Sequence, residues 1–191
     1  MTDASDDRAA CLSGLRRGSR EAFERVYSQE KAGIYGFLMR LSRDPHVAGD
    51  LFQNVWLKLA RNARTLREDT DIRAWLFTVA RNEYRSYCRA QLLDMSRLLV
   101  LGRELASAGV PDGGGDAELA AVEAALGTLG DADRELLLLV CVEGIEARAA
   151  AEVLGISYDA LRQRLARARK RLSDALEARE LPALPERSRS T

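Results

Sequence analysis

Near the C-terminal end, apolar side chains return at intervals that only a helix can align. Leu161, Leu165, Ala168, Leu172 and Leu176 recur at spacings of four, three, four and four. That rhythm places them on one inward stripe. Arg162, Arg164, Arg167, Arg169, Lys170 and Arg171 fall mostly off the stripe, so the helix pairs an apolar face with a basic one. Upstream, residues 147–154 read as a short helix. Gly155 makes a turn, Ile156 stands where a staple residue would, and Ser157 can cap the second helix.

A short helix, a turn with glycine and a basic second helix together match the helix-turn-helix, whose second helix enters the DNA major groove. Side chains near the start of that helix reach base edges, where arginine bonds guanine through two donors. The later arginines are better placed for phosphates. The competing reading is a solvated amphipathic helix.

The rest of the chain also reads as helix. Ala, Leu, Arg and Glu dominate, and aromatics are 6%. The expected fold class is all-α: two small helical domains joined by a flexible linker, the second a helix-turn-helix domain. The expected boundaries are 1–97, a linker at 98–119, 120–178 and a disordered tail at 179–191. The linker contains Pro111 and Gly113, Gly114 and Gly115, which break a helix. The formal net charge is +0, but charge is segregated. Residues 61–103 carry nine basic and five acidic side chains, 104–135 carry eight acidic and one basic, and 157–171 carry six basic and one acidic. Screening limits the reach of charge to about 8–10 Å, so a neutral total does not exclude a polyanionic partner.

In the first half, Ser19 is a candidate N-cap, and Pro45 marks a helix start. In residues 47–59, Val47, Leu51, Val55 and Leu59 form an apolar stripe, with Phe52 and Trp56 on its edge. Those two aromatics stand near Asp50, Gln53 and Asn54, and either core packing or a partner-binding face accounts for them. In the next helix Asp71 is a candidate cap. Ile72, Trp75, Leu76, Val79 and Tyr87 fit a buried stripe. Arg81, Arg85 and Arg89 form one basic row beside Asn82, Tyr84 and Tyr87. A basic row with aromatics and an amide suits unpaired nucleic acid, where arginine meets phosphate and flat groups stack. A solvated basic face is the alternative.

Other functions find less support. Cys11, Cys88 and Cys141 are far apart, and His46 is the single histidine, so neither a disulfide framework nor a metal site is expected. No cofactor is expected, and no nucleophile, acid–base pair or phosphate loop marks an enzyme. No run approaches about 18 apolar residues and the acidic N-terminus lacks a signal pattern, so a cytoplasmic protein without membrane insertion is expected.

Three segments, in order, resemble a known family. "DLFQNVWLKL" resembles D-L-x-Q-(E/D)-x-(F/W), the polymerase-binding helix of bacterial sigma factors of the extracytoplasmic-function (ECF) group. "IRAWLFTVARN" resembles F-R-A-W-L-x-x-I-A-R-N, and "GISYDALRQRLARARKRL" resembles G-I-P-x-G-T-V-K-S-R-L-x-R-A-R. The resemblance implies a promoter-specificity subunit. Its partners would be core RNA polymerase, through the largest-subunit clamp helices and the flap region, promoter DNA, and an anti-sigma factor. It places Asp50, Leu51, Phe52, Gln53 and Trp56 on polymerase. It places Asn82 on the minus-10 element, to which the basic row Arg81, Arg85 and Arg89 is then assigned as well, and Arg162, Gln163, Arg164 and Arg167 on the minus-35 element. The sequence departs from the pattern at Asn54, at Arg148, at Gln163 and at Tyr158-Asp159-Ala160. The alternative function is a helix-turn-helix regulator that binds DNA without joining polymerase.

Overall fold

A computed structural model describes the backbone of residues 3–100 and 117–180. Every regular element among them is helical. The first domain contains α1 (Asp3–Arg16), α2 (Arg20–Ser42), α3 (Pro45–Asn62) and α4 (Ile72–Val100). The second contains α5 (Ala117–Thr128), α6 (Asp131–Leu137), α7 (Ala147–Leu154) and α8 (Tyr158–Glu180). Most of the expected linker, with Pro111 and Gly113–Gly115, lies outside the described residues, as does most of the expected tail.

Local chemistry sets the helix starts. The Ser19 hydroxyl accepts from the Ala22 N–H at 3.2 Å. The Asp44 carboxylate accepts from the His46 and Val47 N–H groups at 2.8 and 3.2 Å, with Pro45 in the first turn. Asp71 accepts from the Ala74 N–H at 3.0 Å, and Ser157 accepts from the Ala160 N–H at 3.2 Å. Each cap satisfies a backbone donor that the helix itself leaves open. α6 starts without a side-chain cap. Gly130 takes the N-cap position, and Asp131 sits inside the first turn, paired with Arg134 at 3.3 Å. α6 ends at Leu137. There it widens into a π turn over Leu138–Val142 before the chain bends at Gly144.

α2, α3 and α4 pack around Ile34, Phe37, Leu38, Val55, Leu59, Leu76 and Phe77, all sealed from solvent. Leu136, Leu138, Leu139, Ala150 and Leu161 fill the second domain. The two sets form one continuous apolar cluster. α4 lies against α7, and α2 meets α6, so the domains pack directly on each other.

That packing changes the expected face of α4. Leu76 is buried, but Ile72, Trp75, Val79 and Tyr87 are only half-buried. The sealed positions are Ala74, Leu76, Phe77, Ala80 and Arg81. A helix covered by α2 and α3 on one side and α7 on the other buries a wider arc than one apolar stripe.

Candidate nucleic-acid interface

The helix-turn-helix is built as its residues dictate. α7 ends at Gly155 with φ +67°, a left-handed conformation that costs glycine little. The N–H of Ile156 then bonds the Ala151 carbonyl at 3.0 Å, closing the helix end. α8 follows, with Leu161 and Ala168 sealed and Leu165 and Leu172 half-buried. Arg162, Gln163 and Arg167 stand exposed. Arg164 differs: it is half-buried, and its Nε lies 3.3 Å from Asp133 Oδ1. Arg171 pairs with the other oxygen of the same carboxylate. Two of the six basic residues therefore fasten α8 to α6, and Asp133, which sequence reading passed over, is their shared anchor. The Arg148 guanidinium lies 5.5 Å from the Tyr158 ring centroid, joining α7 to the first residue of α8.

On α4, Asn82, Arg85 and Arg89 are exposed, and their spacing of three and four puts them on one face. Arg89 donates to the Ser86 hydroxyl at 2.9 Å. Arg81 leaves the expected basic row. It is 9% exposed, and its Nε donates to Glu135 Oε2 at 2.9 Å. Its Nη1 donates to the Val153 carbonyl at 3.3 Å. The physical reason is its position on the side of α4 that faces α7. In this arrangement Arg81 is shut away from any ligand in solution.

A second ion pair joins the domains nearby. Arg73 donates to the Glu143 carbonyl at 2.6 Å and lies 3.8 Å from its carboxylate. Arg73 also pairs with Glu30 at 3.2 Å. A Cβ on Gly33 would sit 2.7 Å from Glu143 Oε2, so the Glu143 carboxylate comes close to α2 at that point. Burial raises the Glu143 pKa above the usual carboxylate value, against the lowering pull of Arg40 and Arg73, while Glu30 adds to the rise.

On α3, Asp50 and Gln53 are exposed, and Leu57 joins their face at 51% exposure. Leu57 was legible as an apolar residue off the buried stripe. Leu51 and Trp56 are core residues, at 5% and 7%, and Phe52 is half-buried. Trp56 sits edge-on to Tyr27 and Phe23, with centroids 4.8 and 6.0 Å away. Phe52 meets Tyr35 at 5.8 Å, and Tyr27 and Tyr35 reach the surface. The aromatics thus form a half-covered cluster between α2 and α3. Among the described residues no His/Cys/Asp/Glu group fits a metal ion, and no helix is long and apolar enough to cross a membrane.

Known proteins resemble both parts of the chain. The family description Sigma-70 region 2 matches residues 26–92, and Sigma-70, region 4 matches residues 119–172. The chain is 30% identical over 144 residues to the ECF RNA polymerase sigma factor EcfG of Rhodopseudomonas palustris, covering 75% of this chain and 78% of that one. It is 28% identical over 170 residues to the RNA polymerase sigma factor CarQ of Myxococcus xanthus, covering 89% and 98%. Among solved structures it resembles the sigma factor RpoE of Bartonella quintana, in complex with the anti-sigma factor NepR. That likeness has a TM-score of 0.70 and 27% identity, over 81% of this chain and 96% of that one.

Proposed function

This chain belongs to the sigma-70 family, as an ECF RNA polymerase sigma factor, and on that footing we propose how its surfaces divide the work of promoter recognition. The protein is a promoter-specificity subunit. It binds core RNA polymerase and directs initiation at a specific set of promoters under anti-sigma control. It acts in the cytoplasm and carries no catalytic step of its own.

The observation that carries this reading is the pairing, in one chain, of a helix-turn-helix with an outward basic face and an exposed Asn82–Arg85–Arg89 face on α4. The two suit different forms of DNA. Arg162, Gln163 and Arg167 meet the minus-35 duplex, where a helix in the major groove reads base edges. Arg164 serves that site by holding α8 on Asp133. Asn82, with its amide, contacts an unpaired base of the minus-10 element, and Arg85 and Arg89 hold the adjacent phosphates. Arg81 joins them after it leaves Glu135. Flipping a base costs a few kcal/mol of unstacking, and a pocket on α4 must offset that.

Polymerase docks on the α3 face. Asp50 and Gln53 supply polar contacts, and exposed Leu57 supplies apolar area. Leu51, Phe52 and Trp56 shape that face from beneath, with Phe52 reaching its edge. An anti-sigma factor acts by covering the same surface. Neither DNA site need be strong alone, because polymerase and the linker raise the effective concentration of one site once the other is bound.

The test is permanganate footprinting of open complexes made with core polymerase on a responsive promoter. Asp50→Arg with Gln53→Arg abolishes complex formation. Asn82→Ala leaves the complex intact but loses the reactive thymines at the minus-10 element. Full melting by Asn82→Ala contradicts the assignment of α4.

A further inference from the structure

Arg148 and Tyr158 both stand where the chain departs from the family pattern, and the fold brings them together. We propose that Arg148 makes a further phosphate contact on the minus-35 duplex, beside the bases that α8 reads, and that Tyr158 holds it in place. The proposal rests on the assignment of α8 to that duplex.

Placement is the first support. Arg148 lies in the first turn of α7, and Tyr158 is the first residue of α8. Tyr158 precedes Arg162 by four residues, so the two share a row on the helix surface. The tyrosine is 41% exposed, and Arg148, Arg162 and Gln163 are exposed with it. The Arg148 guanidinium lies over the Tyr158 ring, 5.5 Å from its centroid. A side chain of α7 is thereby carried to the N-terminal end of the reading face. In a helix-turn-helix that end approaches base edges, while the preceding helix crosses the phosphate backbone.

The kind of contact is the second support. Arg164 and Arg171 are held by Asp133, whose carboxylate offsets their charge. Arg148 is held differently. Among the described residues it forms no ion pair, although Glu152 stands one turn further along α7. An aromatic face attracts a guanidinium through its quadrupole and carries no net charge. The ring therefore restrains the side chain yet leaves its charge, and the donors in its plane, for an anion. Glu146, Glu152 and Asp159 are the acidic neighbours in sequence, and all three are exposed, where water screens them. A phosphodiester accepts the paired donors of arginine and carries no base identity. Arg148 thus adds affinity to the minus-35 site and leaves the choice of bases to α8.

The test uses the full chain assembled with core polymerase. Fluorescence anisotropy over a salt series reads binding of a duplex carrying the minus-35 element of a responsive promoter. Arg148→Ala should weaken binding about tenfold and reduce the salt slope of log affinity by about 0.9, as loss of one phosphate contact predicts. The loss should be uniform across duplexes with altered minus-35 bases. Tyr158→Phe keeps the ring and should match the parent. Tyr158→Ala should weaken binding in the parent but add nothing in the Arg148→Ala background, as a residue acting through Arg148 requires. An unchanged salt slope in Arg148→Ala overturns the proposal. So does a loss confined to particular minus-35 bases, or an equal cost of Tyr158→Ala in both backgrounds. Arg167→Ala separates the two levels. If it lowers the slope and Arg148→Ala does not, only the Arg148 contact falls. If neither variant moves the slope, the assignment of α8 to the minus-35 duplex falls, and the contact with it.

Discussion

Arg134 is a charged residue with 8% exposure, and its partners explain why it stays inside. Its guanidinium donates to the carbonyls of Leu126, Gly127 and Leu129 at 3.0 Å each, closing the end of α5. Burial lowers its pKa, as it must for a cation taken from water. Replacing it with methionine keeps an unbranched apolar stem but orphans those carbonyls. Arg134→Met should cost about 2–4 kcal/mol by urea unfolding. Trp56 makes the opposite case. Among the described residues its buried indole N–H finds no acceptor, so Trp56→Phe sheds an unsatisfied donor along with some packing. Its cost should be below about 1.5 kcal/mol, whereas Trp56→Ala should cost about 3–5. Neither role was legible in the sequence. An arginine or tryptophan at a given spacing shows its stripe, not its partner. Asp133 and Glu135 read simply as part of an acidic block, although one anchors two arginines of α8 and the other seals Arg81.

Among the elements, the helix-turn-helix was the most legible because its signals are local. Ser157, Gly155 and the leucine spacing each act within a few residues. Gly155→Ala forces a Cβ into φ +67° and should lower stability by about 1–2 kcal/mol. The arginines of α8 should separate by partner. Arg167→Ala should weaken binding of the isolated minus-35 duplex and reduce the salt slope of log affinity by about 0.9, as loss of one phosphate contact predicts. Arg164→Ala should lower stability by about 1 kcal/mol or less, since its pairing is partly screened by water. Equal salt slopes for Arg164→Ala and Arg167→Ala would contradict that division. α4 was harder to read. Its start and cap followed from Asp71, but it runs on to Val100, into the expected linker, and its buried arc includes Phe77, Ala80 and Arg81 because a second domain covers it. No periodicity within one helix reports what a distant segment lays on it.

At the scale of the whole molecule, the fold class was legible and the packing of one domain on the other was not. Helix formers, breaks and caps settle the first. Contacts between residues 54 to 72 apart, such as Arg81 with Glu135 and Arg73 with Glu143, settle the second. That seam should leave a pH signature. The pKa of Glu143 is raised by burial above 4.5, opposed by Arg40 and Arg73 and aided by Glu30. The folded chain therefore holds this proton more tightly than the unfolded one. Its contribution to stability is complete below about 4.5 and is lost as pH rises through the raised value. Glu143→Gln should flatten that part of the stability profile in urea unfolding across the acidic range. An unchanged slope would remove Glu143 as its source.

On the proposed function, two DNA-binding faces on one chain become a promoter reader only on polymerase. Run-off transcription with purified core polymerase, with and without this protein, on a pool of bacterial promoters tests it most directly. The expected result is protein-dependent transcripts that share a minus-35 and a minus-10 motif, lost in Asn82→Ala and in Arg162→Ala with Arg167→Ala. Failure to form any complex with core polymerase, together with sequence-specific duplex binding by the free protein, would contradict it and leave a helix-turn-helix regulator in its place.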